Sequence, residues 1–204
     1  MSHALSAPMS LLVSTTVDEV DPLASLARAA RDGDARAFGL LYEQTREVAW
    51  SALVRLLGPT PDLEDLLQDS YVQLLKALRG FRFDSRVTTF LHRVCVNVGL
   101  MYLRGRRRRP EDLDEAPGAE LPAPESADPH RGAELSQAKD LLQRTLARLS
   151  DEKARVFALH EVLDLKPEEI SALEGIPSNT VRSRLNRARE AFTEELAALT
   201  GAAR

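Results

Sequence analysis

The chain has 204 residues, with 27 lysines and arginines against 31 aspartates and glutamates, for a formal net charge of −4. Hydrophobic residues make up 44% and aromatic residues 5%, enough for one domain or two small ones, with a bias toward helix over sheet. Cys95 is the single cysteine, which excludes an internal disulfide framework, and no apolar run reaches bilayer-spanning length.

The opening stretch, "MSHALSAPMSLLVSTTVDEVD", lacks the basic start and long apolar core of a signal peptide. Residues 1–21 therefore read as a disordered leader, and the protein as cytoplasmic with no membrane insertion. From Pro22 to Leu57, apolar residues at helical spacing predict two helices. "RDGD" separates them, Asp34 is a candidate N-cap, and Gly58 with Pro59 ends the second. The next helix opens at "TPDLEDLLQ", with Asp62 as its expected cap. Leu63, Leu67, Tyr71, Leu74 and Leu78 form its buried stripe, and Glu64, Asp65, Gln68, Asp69 and Gln73 face the other way. "RGFRFDSR" breaks the pattern at Gly80. A further helix is predicted from Val87 to Arg104, burying Val87, Leu91, Val94, Val98 and Tyr102.

Composition then changes abruptly. "RGRRRR" is followed by "PEDLDEAPGAELPAPESADPHRG", rich in proline and acids and poor in large apolar groups. Such a stretch buries too little surface to offset chain entropy, so 105–133 reads as a flexible acidic linker. The charge reversal suggests that the arginine run pairs with the acids beyond it.

Helical periodicity resumes near Glu134 and continues to Leu199. "LKPEEISALEG" has proline and two glutamates in a first turn and a closing glycine. Ser178 is the expected cap of the helix after it. Val181, Leu185, Ala188 and Phe192 point inward, leaving Thr180, Arg182, Ser183, Asn186, Arg187 and Arg189 outward. A short helix, a glycine turn and a helix with polar and basic residues near its start make a helix-turn-helix. Arginine offers two bonds to guanine, asparagine two to adenine, and small hydroxyls suit phosphate. A solvated amphipathic helix of a bundle has the same spacing.

The stretch "LARLSDEKARVFALHEVLDLKPEEISALEGIPSNTVRSRLNRAREAF" resembles region 4 of bacterial sigma factors of the extracytoplasmic-function (ECF) group of the sigma-70 family. "DGDARAFGLLYE", "LEDLLQDSYVQLLKAL" and "FRFDSRVTTFLHRVCVNVGLMYLR" are similar in order and spacing to sigma region 2. The resemblance implies an all-α chain of two small helical domains: region 2 at 22–104 and region 4 at 134–199, joined by the linker, with a tail at 200–204. It implies a non-enzymatic protein without cofactor that binds core RNA polymerase, directs it to promoter DNA and promotes opening.

By that resemblance, Glu64, Asp65, Gln68 and Asp69 would contact polymerase. Arg82, Phe83, Asp84, Ser85, Arg86, Arg93 and Asn97 would hold the melted strand of the downstream (−10) element. Ser178, Asn179, Thr180, Arg182, Ser183, Asn186 and Arg187 would read the double-stranded upstream (−35) element. A dedicated anti-sigma factor is a further implied partner.

The chain departs from the family at Phe90, where tryptophan is usual, at Met101, where aspartate is usual, and at Asn179, where glycine is common. His3, His92, His130 and His160 lack metal-ligand spacing with cysteine, so no metal is expected, and no catalytic constellation is present. Cys95 reads as a small apolar filler. Two other readings compete: a regulator that uses only the helix-turn-helix, and an interaction module that titrates an inhibitor.

Overall fold

The computed structural model describes residues 21–108 and 129–201, which are helical with no strand among them. Four helices form the first half: α1 (Ala24–Arg31), α2 (Ala35–Leu57), α3 (Leu63–Leu78) and α4 (Val87–Arg108). The second half holds α5 (Pro129–Leu146), α6 (Asp151–Phe157), a π turn (Ala158–Val162), α7 (Pro167–Glu174) and α8 (Ser178–Thr200). The expected leader, most of the acidic linker and the end of the tail fall at 1–20, 109–128 and 202–204, outside the described residues. At its described edges the interval between the bundles is shorter than expected. Helix α4 runs past Arg104 to Arg108, and α5 starts at Pro129 rather than Glu134.

Capping explains where the helices begin and end. Asp34 accepts from the backbone N–H groups of Arg36 and Ala37 at 2.9 and 3.0 Å, as the sequence predicts. Gly58 closes α2 at φ 71°, a conformation that favours glycine. Asp62 does not cap α3: its carboxylate accepts the Tyr102 hydroxyl at 2.7 Å instead. Buried Asp21 accepts from the N–H groups of Leu23 and Val87, tying the chain before α1 to the start of α4.

In the first bundle, α2 and α3 pack on α4, with α1 against α2. Tyr71 and Thr45 share a buried hydrogen bond at 2.8 Å, and burial pushes the Tyr71 phenol up to about 12. Phe90 is fully buried and stacks on Phe81 at 4.0 Å, so the smaller ring still fills the core. Cys95 is buried as well, and loss of solvation pushes its thiol up to about 12.

In the second bundle, α6, α7 and the last part of α5 pack on or around α8. The turn between α7 and α8 is fixed locally. Gly175 sits in the left-handed region at φ 66°, its N–H and that of Ile176 reach the Ser171 carbonyl, and the Ser171 hydroxyl donates to the Ile176 carbonyl at 2.6 Å.

The two bundles meet on α4. One buried apolar cluster runs through both halves, from Leu23 to Ala191. Beyond the predicted stripe, α4 also buries Val96, Leu100 and Leu103 on its other side. A helix apolar on two sides is packed on two sides.

Candidate nucleic-acid and protein interface

Helix α8 is held by its inner face, where Val181, Leu185 and Ala188 are buried and Phe192 stacks on Phe157 at 4.4 Å. Pro177 occupies the cap position, so Ser178 is the first helical residue and the expected Ser178 cap is not formed. Asn179, Arg182, Ser183, Asn186 and Arg187 are exposed, and Ser178 and Thr180 are half-buried at the start of the helix.

The arginines of this helix differ in their surroundings. Arg184 pairs with Glu152 at 2.8 Å and Arg189 with Glu161 at 2.7 Å, which ties α8 to the helices beneath it. Arg182 is held in a fork: one terminal nitrogen donates to the Asn179 side-chain oxygen at 3.1 Å, the other to Glu168 on α7. Arg187 makes no hydrogen bond or ion pair with any described residue, so its planar donors are open to a ligand. The Ser183 hydroxyl donates to the Thr180 carbonyl at 2.9 Å.

The loop before α4 is arranged around a core ring. Phe83, at φ 61°, is buried against Phe81 with the Arg28 guanidinium 3.9 Å above its centroid, so its ring props the loop from beneath. Arg82 and Asp84 pair at 2.8 Å on the outside, and Arg86 is exposed. Ser85 is 8% exposed, and its hydroxyl has no partner among the described residues. Together with Arg82, Asp84 and Arg93 it lines a polar cavity of about 340 Å³, whose far wall is the α7 end, Ala172–Gly175.

Along α4, Arg93, Asn97, Met101 and Arg104 occupy the stripe between its two apolar sides, but they are not equally free. Arg93 lies over the Phe90 ring and donates to the Leu173 carbonyl of α7 at 3.2 Å. Burial, the larger effect, and neighbouring Arg155 pull its guanidinium below its ordinary range, while Glu174 acts the other way. Arg104 lies 2.9 Å from Asp151 on α6. Asn97 and Met101 remain exposed.

On α3 the structure brings Glu64, Asp65, Gln68 and Asp69 onto one exposed face. Arg46 of α2 reaches Glu64 at 3.2 Å. The face continues into Val72 and Leu75, which are 51% and 41% exposed. The sequence reading missed these two; the signal was an apolar residue off the buried stripe at each position. Exposed apolar groups rimmed by acids suit a protein surface rather than a phosphate backbone.

No group of three or more His, Cys, Asp or Glu side chains is placed to hold a metal among the described residues. Among the same residues, no helix is long and apolar enough to cross a membrane.

Comparison with known proteins agrees with this division. Residues 41–109 match the family described as "Sigma-70 region 2", and 139–192 match "Sigma-70, region 4". The chain is 32% identical to the "ECF RNA polymerase sigma-E factor" of Salmonella typhimurium over 180 residues, covering 84% of this chain and 92% of that protein. It is 31% identical over 177 residues to the "RNA polymerase sigma-H factor" of Pseudomonas aeruginosa, with the same coverage. A solved structure titled "Structure of CnrH in complex with the cytosolic domain of CnrY" is 24% identical, covers 88% of this chain and 97% of that one, and has a TM-score of 0.46.

Proposed function

The chain belongs to the extracytoplasmic-function group of the sigma-70 family, and we propose from that premise how its residues divide the work. It is a sigma factor, not an enzyme: it binds core RNA polymerase and directs it to promoter DNA.

Residues 134–199 serve as the upstream-reading domain. Arg182, Asn186 and Arg187 address base edges, where a bidentate fork discriminates among base pairs. Ser178, Asn179, Thr180 and Ser183, at the helix start, set the register on phosphate and sugar. Residues 22–104 serve as the docking and strand-holding domain, with 105–133 as the tether. Glu64, Asp65, Gln68 and Asp69 meet polymerase, with Val72 and Leu75 extending that contact. Arg82, Asp84, Ser85, Arg86, Arg93 and Asn97 hold the separated strand, and Phe83 supports their loop. The unpartnered Ser85 hydroxyl lining a polar cavity fits that role, because an unpaired base supplies the missing hydrogen bond. A protein inhibitor of the anti-sigma type would compete for the acid-and-apolar face of α3. The place of work is the cytoplasm, where polymerase is.

The observation that carries this reading is the reading helix itself: Arg182, Ser183, Asn186 and Arg187 all stand exposed on the outer face of the second helix of a helix-turn-helix. Run-off transcription with core polymerase on genomic promoter fragments tests it. Discrete transcripts that disappear with Arg187→Ala are expected. A holoenzyme that forms and starts no transcript on any fragment overturns it.

A further inference from the structure

The net charge of −4 hides one strongly positive hollow. It lies where the end of α4, the last turns of α5 and the end of α8 converge, and none of its lining residues has a promoter or polymerase role above. Leu103 and Ala147, both buried, and Leu199 supply its apolar lining. Arg106, Arg107, Arg144 and Arg148 line it as well, against one acid, Asp140. These guanidiniums are lightly engaged. Arg144 approaches Asp140 at 3.4 Å and Arg148 approaches Glu195 at 3.6 Å, long contacts between well-solvated side chains that contribute little. Arg107 gives one terminal nitrogen to the Ala147 carbonyl at 3.2 Å, and the rest of its fork has no partner among the described residues. Arg106 lies 5.8 Å from the Tyr102 ring centroid and pairs with no carboxylate among the same residues. Four cations around one acid repel one another, and an anion placed among them relieves that repulsion.

The lining selects among anions. A monocarboxylate cancels one charge, whereas a phosphate monoester carries about −1.5 to −2 at pH 7 and presents oxygens in the geometry that guanidinium forks match. Inorganic phosphate would leave Leu103, Ala147 and Leu199 unused. A flat ring covers them, and guanidinium planes stack on such rings. At about 210 Å³ the cavity is smaller than the roughly 300–1,000 Å³ of pockets that enclose a drug-sized molecule, which suits a small ligand with one end in solvent.

We propose that this hollow is a binding site for an organic phosphate with an aromatic body, the chemistry of a nucleoside monophosphate. The phosphate sits among Arg106, Arg107 and Arg144, and the ring lies against Leu103, Ala147 and Leu199. Helix α4 belongs to the first bundle and α5 and α8 to the second, so the ligand touches both and stabilises the folded chain by mass action. The site is separate from the outward face of α8: Leu199 stands in the last turn of that helix, at the opposite end from Ser178–Arg187. Nucleotide and duplex therefore bind the chain together.

The test titrates the full chain with AMP and with GMP by isothermal titration calorimetry, using adenosine and inorganic phosphate as half-ligands. AMP or GMP should bind at one site per chain, and each half-ligand about tenfold or more weakly than the whole. Arg106→Gln and Arg144→Gln, on two different helices, should each weaken binding by about tenfold. Asp140→Asn removes the one acid of the lining and should tighten binding by about threefold or more, a gain that a misfolded variant cannot give. Amide chemical shifts measured by NMR locate the ligand: changes at Arg106, Arg144 and Leu199 are expected. Changes confined to Ser178–Arg187, or to the cavity that Ser85 lines, overturn the proposal. So do binding at several equivalent sites, equal affinity for phosphate and for the mononucleotides, or no heat and no shift with either nucleotide. A single strand of about 12 nucleotides that shifts these residues where AMP and GMP do not would make the hollow a polynucleotide backbone contact, which also overturns it.

Discussion

At the scale of single residues, chemistry is set by what each side chain already touches. Arg182 and Arg187 carry the same guanidinium on the same face, yet one is held by Glu168 and Asn179 and the other is open. Holding a fork in place lowers the entropy lost on reading a base. Arg182→Ala is expected to cost about 1–3 kcal/mol in duplex binding and to relax preference at one base pair. Glu168→Gln should relax the same position less, with little change in the salt slope. Fluorescence anisotropy against a panel of single-base variants reads both; equal weakening on every sequence would make Arg182 a phosphate contact. Asn179 supplies one arm of this hold. His92 is a second case. Burial, and to a smaller degree Arg55, lower its pKa below 6.5, while Glu169 acts in the opposite sense. The unfolded chain therefore binds the proton more readily, and the stability from neutral His92 is present above about pH 6.5 and lost as pH falls through the folded value. Thermal unfolding across that range should show a decline toward acid that is shallower in His92→Gln.

At the scale of elements, α4 is the helix on which both bundles depend. Gly99 lies where it crosses α2: a Cβ there would come within 2.6 Å of the Leu56 Cδ2 atom. Leu56 is 1% exposed and has no room to turn aside. Alanine would gain about 1 kcal/mol of helix propensity but incur overpacking of about 1–3 kcal/mol, so Gly99→Ala should destabilise the full chain by up to about 2 kcal/mol in urea unfolding. Helices of this kind were legible in the sequence because apolar spacing is a strong signal. The inner faces of α3 and α8, the breaks at Gly58, Gly80 and Gly175, and the Asp34 cap are all where spacing and backbone chemistry put them. Caps that depend on distant partners were not legible. Asp62 turns to Tyr102, forty positions away in sequence, and nothing local to α3 records that choice. Val96, Leu100 and Leu103 carried the clue to a second partner for α4, but one apolar stripe accounts for a helix and a second only announces that something covers it.

For the whole molecule, the proposed function places the two tasks on separate faces. Asp65→Arg reverses charge on the exposed α3 face, far in sequence from α8, and should weaken binding to core polymerase by about tenfold or more while leaving duplex binding by the free chain unchanged. Surface plasmon resonance with immobilised core enzyme and with promoter duplex measures the two, and an unchanged core affinity would move the docking site elsewhere. The ion pair of Arg55 and Asp164, both largely solvated, is worth about 0–1 kcal/mol, so Asp164→Asn alone should leave the bundles together. The candidate site was legible where it was local: the exposed residues of α8 and of α3 stand where their spacing placed them. The burial of Phe83 and the engagement of Arg93 were not, because both arise from tertiary packing. Net charge hid the design as well, since acids and arginines that cancel in the sum lie on different helices.

The sealed position of Cys95 has a consequence for signalling. Peroxide and electrophiles attack thiolate, and a buried thiol with its pKa near 12 offers almost none. Cys95 is the one thiol in the sequence, and its burial shields it from such reagents in the folded chain. A signal written in thiol oxidation would have to be read by some other molecule.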